Sequence, residues 1–278
     1  MTLFALYWTR AQSENQKNFK TPQTVRCRYN TLVRFLIVSD LHANWHALKA
    51  VLADAKENFE QIVCCGDLVG YNPHPSRVLD WTRANCASVI RGNHDKVVAG
   101  IEDLEWFNDI AQVAARWTIA KLKPEQLGYL RELPMGPLAL EYFQIFHGSP
   151  RDEDEYVTTV LEATPCFAHF ERPLAFFGHT HMQGGFISKR GRVSALAQVG
   201  KSETESAIEL EADYLYMVNP GSVGQPRDGD PRAAYAIFDP ERNLVLLRRV
   251  EYPIEKTSDE IKKAGLPDVL AFRLFRGI

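Results

Sequence analysis

From residue 33 onward the chain is a series of short apolar runs separated by polar stretches. The runs read VRFLIVSD, QIVCCGD, ASVIRGNHD, YFQIFHG, LAFFGHTH, YLYMVNPGS, AAYAIFD and LVLLRRV. Each has the length of a strand, and several are rich in β-branched or aromatic residues. Nearly continuous apolarity implies burial on both faces, as in sheets covered by further layers. Helical spacing lies between the runs. In 44–57, Trp45, Leu48, Leu52 and Ala55 follow three- and four-residue steps and make one apolar face. Pro75 opens a short helix through Val78, Leu79 and Trp81. In 104–122, Trp106, Ile110, Val113, Trp117 and Ala120 form a stripe expected to pack in the core, and Pro124 ends that helix and can start the next.

After about residue 182 strands follow one another, with turn signals at Gly184-Gly185, at Asn219-Pro220-Gly221 and at 228–231 (DGDP). Alternation of β and α first, then a β-rich half, predicts an α/β fold of two mixed sheets packed together with helices outside. Three segments are expected: a flexible N-terminal arm over 1–32, the main domain over 33–250, and a C-terminal helical extension over 251–278. In the last, Ser258 is the candidate N-cap, and Gly265 with Pro267 the stop.

Composition narrows the classes. Of 278 residues, 45% are apolar and 24% charged, enough for a large core. The net charge of −3 excludes a broad basic nucleic-acid face, while leaving room for a small anion in a local pocket. No stretch approaches the roughly 18 apolar residues of a membrane span. The start, MTLFALYWTR, lacks a basic n-region and a cleavage site, so a cytoplasmic chain is expected. The five cysteines form no C-x-x-C pair and read as small hydrophobes of a reducing compartment, with Cys64 and Cys65 pointing to opposite sheet faces.

Position is the informative feature. Five of the apolar runs end directly in metal-type donors: Asp40-Leu41-His42, Gly66-Asp67, Gly92-Asn93-His94-Asp95, His147-Gly148 and Gly178-His179-Thr180-His181. In open α/β sheets ligands bind beyond the carboxyl ends of the strands, so five such clusters converge on one crevice. Asp and Asn bring oxygen and His brings nitrogen. This mixture suits manganese, iron, zinc, cobalt or nickel better than calcium. Seven donors exceed one tetrahedral site and suit two ions about 3.5–4 Å apart that share a carboxylate. Taken singly, Asp-x-His and His-Gly are weak and Gly-Asp is an ordinary turn, while Gly-Asn-His-Asp and Gly-His-Thr-His are rarer and more specific. Their joint occurrence at strand ends is what excludes the bland reading. Of the other histidines, His46 is read as structural or exposed, His169 as surface, and His74 as a residue that could line the cleft. Gly200-Lys201-Ser202 is no P-loop, because position 195 is Ala where that motif needs its first glycine.

With these residues in place the chain resembles the calcineurin-like metallophosphoesterase superfamily over roughly residues 34–250, including Asn219-Pro220-Gly221-Ser222. Within it the chain is similar to the small bacterial and archaeal phosphodiesterases and to diadenosine tetraphosphate hydrolases. The resemblance implies a four-layer α/β/β/α sandwich and two divalent metal ions, manganese foremost. It places Asp40, His42 and His181 on one ion, Asn93, His147 and His179 on the other, and Asp67 across both. It makes His94 the catalytic histidine, oriented by Asp95. The implied reaction is in-line attack of a metal-bridging hydroxide on a small phosphoester or nucleotide-type substrate. A dinucleoside polyphosphate hydrolase is the narrower version, and a non-catalytic binding scaffold the alternative of another class. One departure matters. The second motif reads Gly66-Asp67-Leu68-Val69-Gly70-Tyr71, without the phosphate-clamping arginine of Ser/Thr protein phosphatases. Arg91 or Arg227 could supply that charge. Specificity is expected from the loops at 68–77, 96–109, 150–158 and 222–232.

Overall fold

A computed structural model describes residues 33–278, so the expected N-terminal arm lies outside the described residues. In the first half, β1 (Phe35–Val38) leads to α1 (Trp45–Asp54), β2 (Gln61–Cys64) to α2 (Pro75–Asn85), and β3 (Ser88–Val89) to α3 (Asn93–Val98). Next come α4 (Asp109–Lys121), α5 (Pro124–Glu132), β4 (Leu138–Ala139), β5 (Gln144–Phe146), α6 (Val160–Cys166) and β6 (Leu174–Phe177). The second half runs through β7 (Gly184–Lys189), β8 (Arg192–Leu196), β9 (Glu205–Glu209), β10 (Tyr214–Asn219), β11 (Ala233–Asp239) and β12 (Leu244–Val250), and closes with α7 (Ile254–Lys263) and α8 (Asp268–Arg276). Local chemistry sets the helix starts. Asn44 and Asn108 accept from the backbone N–H groups of Ala47 and Ala111, while Pro75 and Pro124 occupy first helical positions that need no N–H.

The strands form two six-stranded sheets, in the orders β3-β2-β1-β11-β12-β9 and β4-β5-β6-β10-β7-β8. Both are mixed: β1, β2 and β3 are parallel, as are β5, β6 and β10, and the remaining pairs are antiparallel. Alternation along β1 divides the core. Phe35 and Ile37 meet Phe143, Phe176 and Val218 between the sheets, while Leu36 and Val38 face Leu48, Val51 and Val78 of the covering helices. Cys64 and Cys65 separate in the same way, one into each core, and the four cysteines of the described residues are free. α6 covers the outer face of the second sheet through Ala163 and Cys166, against Phe146, Phe177 and Met217. The result is the expected sandwich of helices, two mixed sheets and an outer helical layer. No helix among the described residues is long and apolar enough to cross a membrane.

Three expectations are corrected. The stripe over 104–122 is broken, because 104–106 is a separate 3-10 turn and α4 starts only after Asn108. The buried face of α4 is Ala111, Ala114, Ala115 and Thr118, whereas Trp106 is 79% exposed and Val113 also faces solvent. Small residues let α4 approach its neighbours, while Ile110 and Trp117 pack half-buried at the edge of that face. Gly184-Gly185 is no turn. Both glycines lie in β7, paired with Asn219 and Val218, at φ of +127° and +129°. A Cβ on Gly185 would stand 2.1 Å from the Met217 carbonyl oxygen, so only glycine allows that approach. Finally, Ser258 is buried inside α7, which starts at Ile254 directly after Pro253, a turn earlier than expected. Gly265, at φ +72°, does end that helix.

Candidate metal centre

The five donor clusters all emerge at the carboxyl ends of β1, β2, β3, β5 and β6. Backbone hydrogen bonds lock the loops together: Asp40 N–H donates to the Gly66 carbonyl (3.0 Å), His42 N–H to that of Asp67 (2.9 Å), and Gly178 N–H to that of His147 (2.9 Å). The turn after β10 clasps them from the far side. Ser222 Oγ donates to the Asp40 carbonyl (2.9 Å), and Asn219 Nδ2 donates to that of Gly178 (3.0 Å). Five donors sit in the left-handed region: Asp40 (φ +52°), His42 (+42°), Asp67 (+57°), His179 (+65°) and His181 (+58°). Asp and His adopt it more readily than most side chains, yet it still costs them energy that the surrounding hydrogen bonds offset. Gly92 makes the room for Asp67, since a Cβ at that position would stand 2.1 Å from Asp67 Oδ1.

Four histidines are oriented by backbone carbonyls, which can only accept. Nδ1 of His42 donates to Val69 O (2.9 Å), Nδ1 of His147 to Cys65 O (2.8 Å), Nδ1 of His181 to Gln225 O (2.6 Å), and Nε2 of His179 to Asp154 O (3.0 Å). In the neutral form of each ring the opposite nitrogen is a bare lone pair facing inward, the arrangement typical of metal-binding imidazoles. These lone pairs crowd other acceptors. His42 Nε2 is 3.0 Å from His181 Nε2, and His179 Nδ1 is 3.1 Å from Asn93 Oδ1. Asp40 Oδ1 lies 3.3 Å from His181 Nε2, and Asp40 Oδ2 is buried without a partner. Asp67 Oδ2 stands 3.4 Å from His42 Nε2 and 3.5 Å from His147 Nε2. Acceptors packed this closely repel one another unless a cation lies among them. Asp40, His42, Asp67 and His181 offer ligand atoms all within 4.8 Å of one another, so the buried set fits a divalent metal.

The electrostatics agree. Burial lowers His42 to about 4 and His179 to about 3, and it holds His94 and His181 well below the ordinary range. These rings are neutral at pH 7, the form that ligates. Burial pushes Asp40 up to about 7, with the Asp67 charge adding to the effect. Burial also works to raise Asp67, but His147, His94 and His42 outweigh it and hold the carboxyl well below its usual range. His147 is the exception: Asp67 and Asp40 overcome its burial and raise it to about 10, so a cation entering here would displace its proton.

Beside the donors lies a cleft of about 280 Å³. All four loops named above contribute to it, with Tyr71, Trp106, Phe107, Tyr156 and Arg227 among the lining residues. His94 is brought to this wall, yet Asp95 does not touch its ring. The Asp95 carboxylate instead accepts from the backbone N–H groups of Leu68, Val69 and Gly92, and so fixes the loop after β2. The partner of His94 Nε2 is the Tyr71 hydroxyl, at 2.9 Å, and Arg227 donates to the same hydroxyl at 3.2 Å. Tyr71 had no sequence signal beyond its place after the second motif. Arg91 is bound in a two-pronged pair with Glu153 (2.9 and 3.0 Å), which leaves Arg227 as the cation on the cleft wall. Lys96 ties the 96–109 loop to the 150–158 loop through Glu102 (3.0 Å) and Asp154. His74 does not line the cleft; it lies with His46 and Glu260. His169 is exposed.

Two mixed sheets whose strand ends gather Asp, Asn and His around a cation-sized space define a metal-dependent phosphoesterase fold. The chain belongs to the calcineurin-like phosphoesterase superfamily, whose domain profile matches residues 33–243. A metallophosphoesterase from Sphaerobacter thermophilus is 37% identical and superposes with a TM-score of 0.75, covering 88% of this chain and 99% of that one. An uncharacterized protein of Methanocaldococcus jannaschii is 38% identical over 256 residues, 87% of this chain and 97% of that protein. A hypothetical protein from Pyrococcus horikoshii shares the fold at 21% identity, with a TM-score of 0.69 over 89% of this chain and 99% of that one.

Proposed function

We propose that the chain hydrolyses phosphodiester or nucleotide-type substrates with two divalent cations in its buried centre. Asp40, His42 and His181 would hold one cation, Asn93, His147 and His179 the other, and Asp67 both. The observation that carries this reading is the single oxygen, Asp67 Oδ2, standing between the inward-facing nitrogens of His42 and His147 at 3.4 and 3.5 Å. The mixed nitrogen and oxygen donors suit Mn²⁺, with iron, zinc, cobalt and nickel as the other fitting ions. Bound there, such cations supply Lewis-acid polarisation of the phosphoryl group and water activated at neutral pH.

The chain's own residues account for the remaining steps. Arg227 faces the cleft and can receive a phosphoryl oxygen by charge-assisted hydrogen bonds, the part the missing second-motif arginine plays in protein phosphatases. His94 and Tyr71 hold a proton between His94 Nε2 and the phenolic oxygen, in position for the departing oxygen. Tyr156, Trp106 and Phe107 offer aromatic faces on which a base or aryl leaving group can stack. The test is turnover of bis-p-nitrophenyl phosphate with each added metal, beside diadenosine tetraphosphate and 2′,3′-cyclic nucleotides. The last two separate the narrower dinucleoside polyphosphate reading. His94→Ala should lose at least about a hundredfold in kcat while keeping its metal, and Asp67→Ala should lose the metal. A metal-loaded native protein inert toward the whole panel would refute the proposal.

A further inference from the structure

A second cluster of ligand-type side chains lies away from the cleft. His46 is in the first turn of α1, His74 directly precedes α2, and Glu260 is on α7. His46 Nε2 is 2.7 Å and His74 Nε2 is 3.2 Å from the same oxygen, Glu260 Oε2. The two rings stand nearly perpendicular, at 85° with centroids 5.4 Å apart, so their nitrogens converge on that oxygen. One donor atom from each of the three residues lies within 4.8 Å of the others. We propose that His46, His74 and Glu260 bind a divalent cation of the zinc type, a structural site separate from the catalytic centre.

The chemistry fits a His-His-Glu set. Tetrahedral zinc with bonds of about 2.0–2.1 Å spaces its ligand atoms about 3.3 Å apart, and both histidine–carboxylate spacings lie within about 0.6 Å of that value. Both ring nitrogens reach the one oxygen, which has lone pairs for each, and His74 Nδ1, on the far side of its ring, is buried with no partner. A neutral imidazole and an anionic carboxylate are the forms that ligate. His46 is buried and the Glu260 side chain is 29% exposed, which leaves the fourth position to water.

The location gives the ion a task. Ile261, Leu270 and Leu274 of the C-terminal helices, with Leu266 of the turn between them, pack against Tyr71, Ala111 and Ala114. His74 lies three residues beyond Tyr71. A cation at this cluster staples α7 to the loop that presents Tyr71 to His94.

The probe is Zn²⁺ alone, added to chelator-stripped protein, with bound metal counted by elemental analysis and Tm followed by circular dichroism. Native protein should bind one more ion per chain than His74→Ala or Glu260→Gln. In an Asp67→Ala/His147→Ala background, Zn²⁺ should raise Tm by several degrees, and adding His74→Ala should abolish the rise. Equal stoichiometry in native protein and Glu260→Gln, or no Zn²⁺ bound to the Asp67→Ala/His147→Ala protein, overturns the site. Should His74→Ala fail to fold, those two measurements still decide. Failure of the catalytic centre reads differently: native protein would then bind only the ion that His74→Ala removes.

Discussion

Tyr71→Phe isolates one hydroxyl without disturbing the donors. The ring packs against His42 and His94, with centroids at 4.6 and 4.4 Å, and phenylalanine keeps those contacts. What is lost is the oxygen that meets His94 Nε2 at 2.9 Å and Arg227 at 3.2 Å. A neutral hydrogen bond contributes about 1 kcal/mol, and one from a charged group about 1.5 kcal/mol at the lower end, where the longer contact belongs. If both are used fully in the transition state, about 2–2.5 kcal/mol is lost there. At about 1.4 kcal/mol per decade, kcat falls roughly 30- to 70-fold. Folding loses less, about 1–2 kcal/mol, or a few degrees of Tm in a chain of this size. The assay is steady-state turnover of a chromogenic diester, paired with metal analysis of the same sample. Tyr71 donates nothing to the cation centre, so metal content should match the native protein. A kcat within twofold of native, or a loss that tracks missing metal, would refute the assignment of Tyr71 to His94 and Arg227.

Gly92→Ala should deplete bound metal and activity together while leaving a folded chain, because the new methyl lands on Asp67 Oδ1; full metal occupancy in that variant would contradict the cradle. Asp228→Ala strips the partner of Arg249, whose side chain is wholly buried, and should cost about 3–5 kcal/mol, seen as a Tm lower by roughly 10 °C. Chelation at pH 7–8 should lower Tm, because a cation bound only by the folded chain stabilises it, and its loss leaves the buried Asp40 and Asp67 with His147 as counter-charge; an unchanged Tm would mean the centre holds no cation.

The parts legible in the sequence are those whose signal is local. Continuous apolarity marked β1, β2, β5 and β6, and the donors followed the last strand residue within a few positions. The rest depended on partners far along the chain. Asp95 sits next to His94 in sequence, yet its carboxylate turns to the backbone N–H groups of Leu68 and Val69, a choice only the fold makes. Tyr71 and Arg227 meet across 156 residues, and His46 and Glu260 across 214. The stripe over 104–122 misled because Trp106 and Val113 match the helical period, while Trp106 falls in the turn before α4 and the small alanines form that helix's packed face. Gly184-Gly185 misled because paired glycines mark turns more often than a strand crossing close to a neighbouring carbonyl.

The left-handed backbone at Asp40, His42, Asp67, His179 and His181 has a consequence for how this chain can change. Each such residue stores of the order of 1 kcal/mol of strain that glycine would not, and asparagine would bear it more easily than aspartate or histidine. The substitutions that relax the backbone here are the ones that remove a donor. Asp40→Gly or His42→Asn would ease the local turn, yet each also gives up a buried bond: Asp40 Oδ1 accepts from His179 N–H, and His42 Nδ1 donates to the Val69 carbonyl. Backbone ease and side-chain bonding thus pull in opposite directions at these positions, and the hydrogen bonds between the loops are what hold the tighter conformation in place.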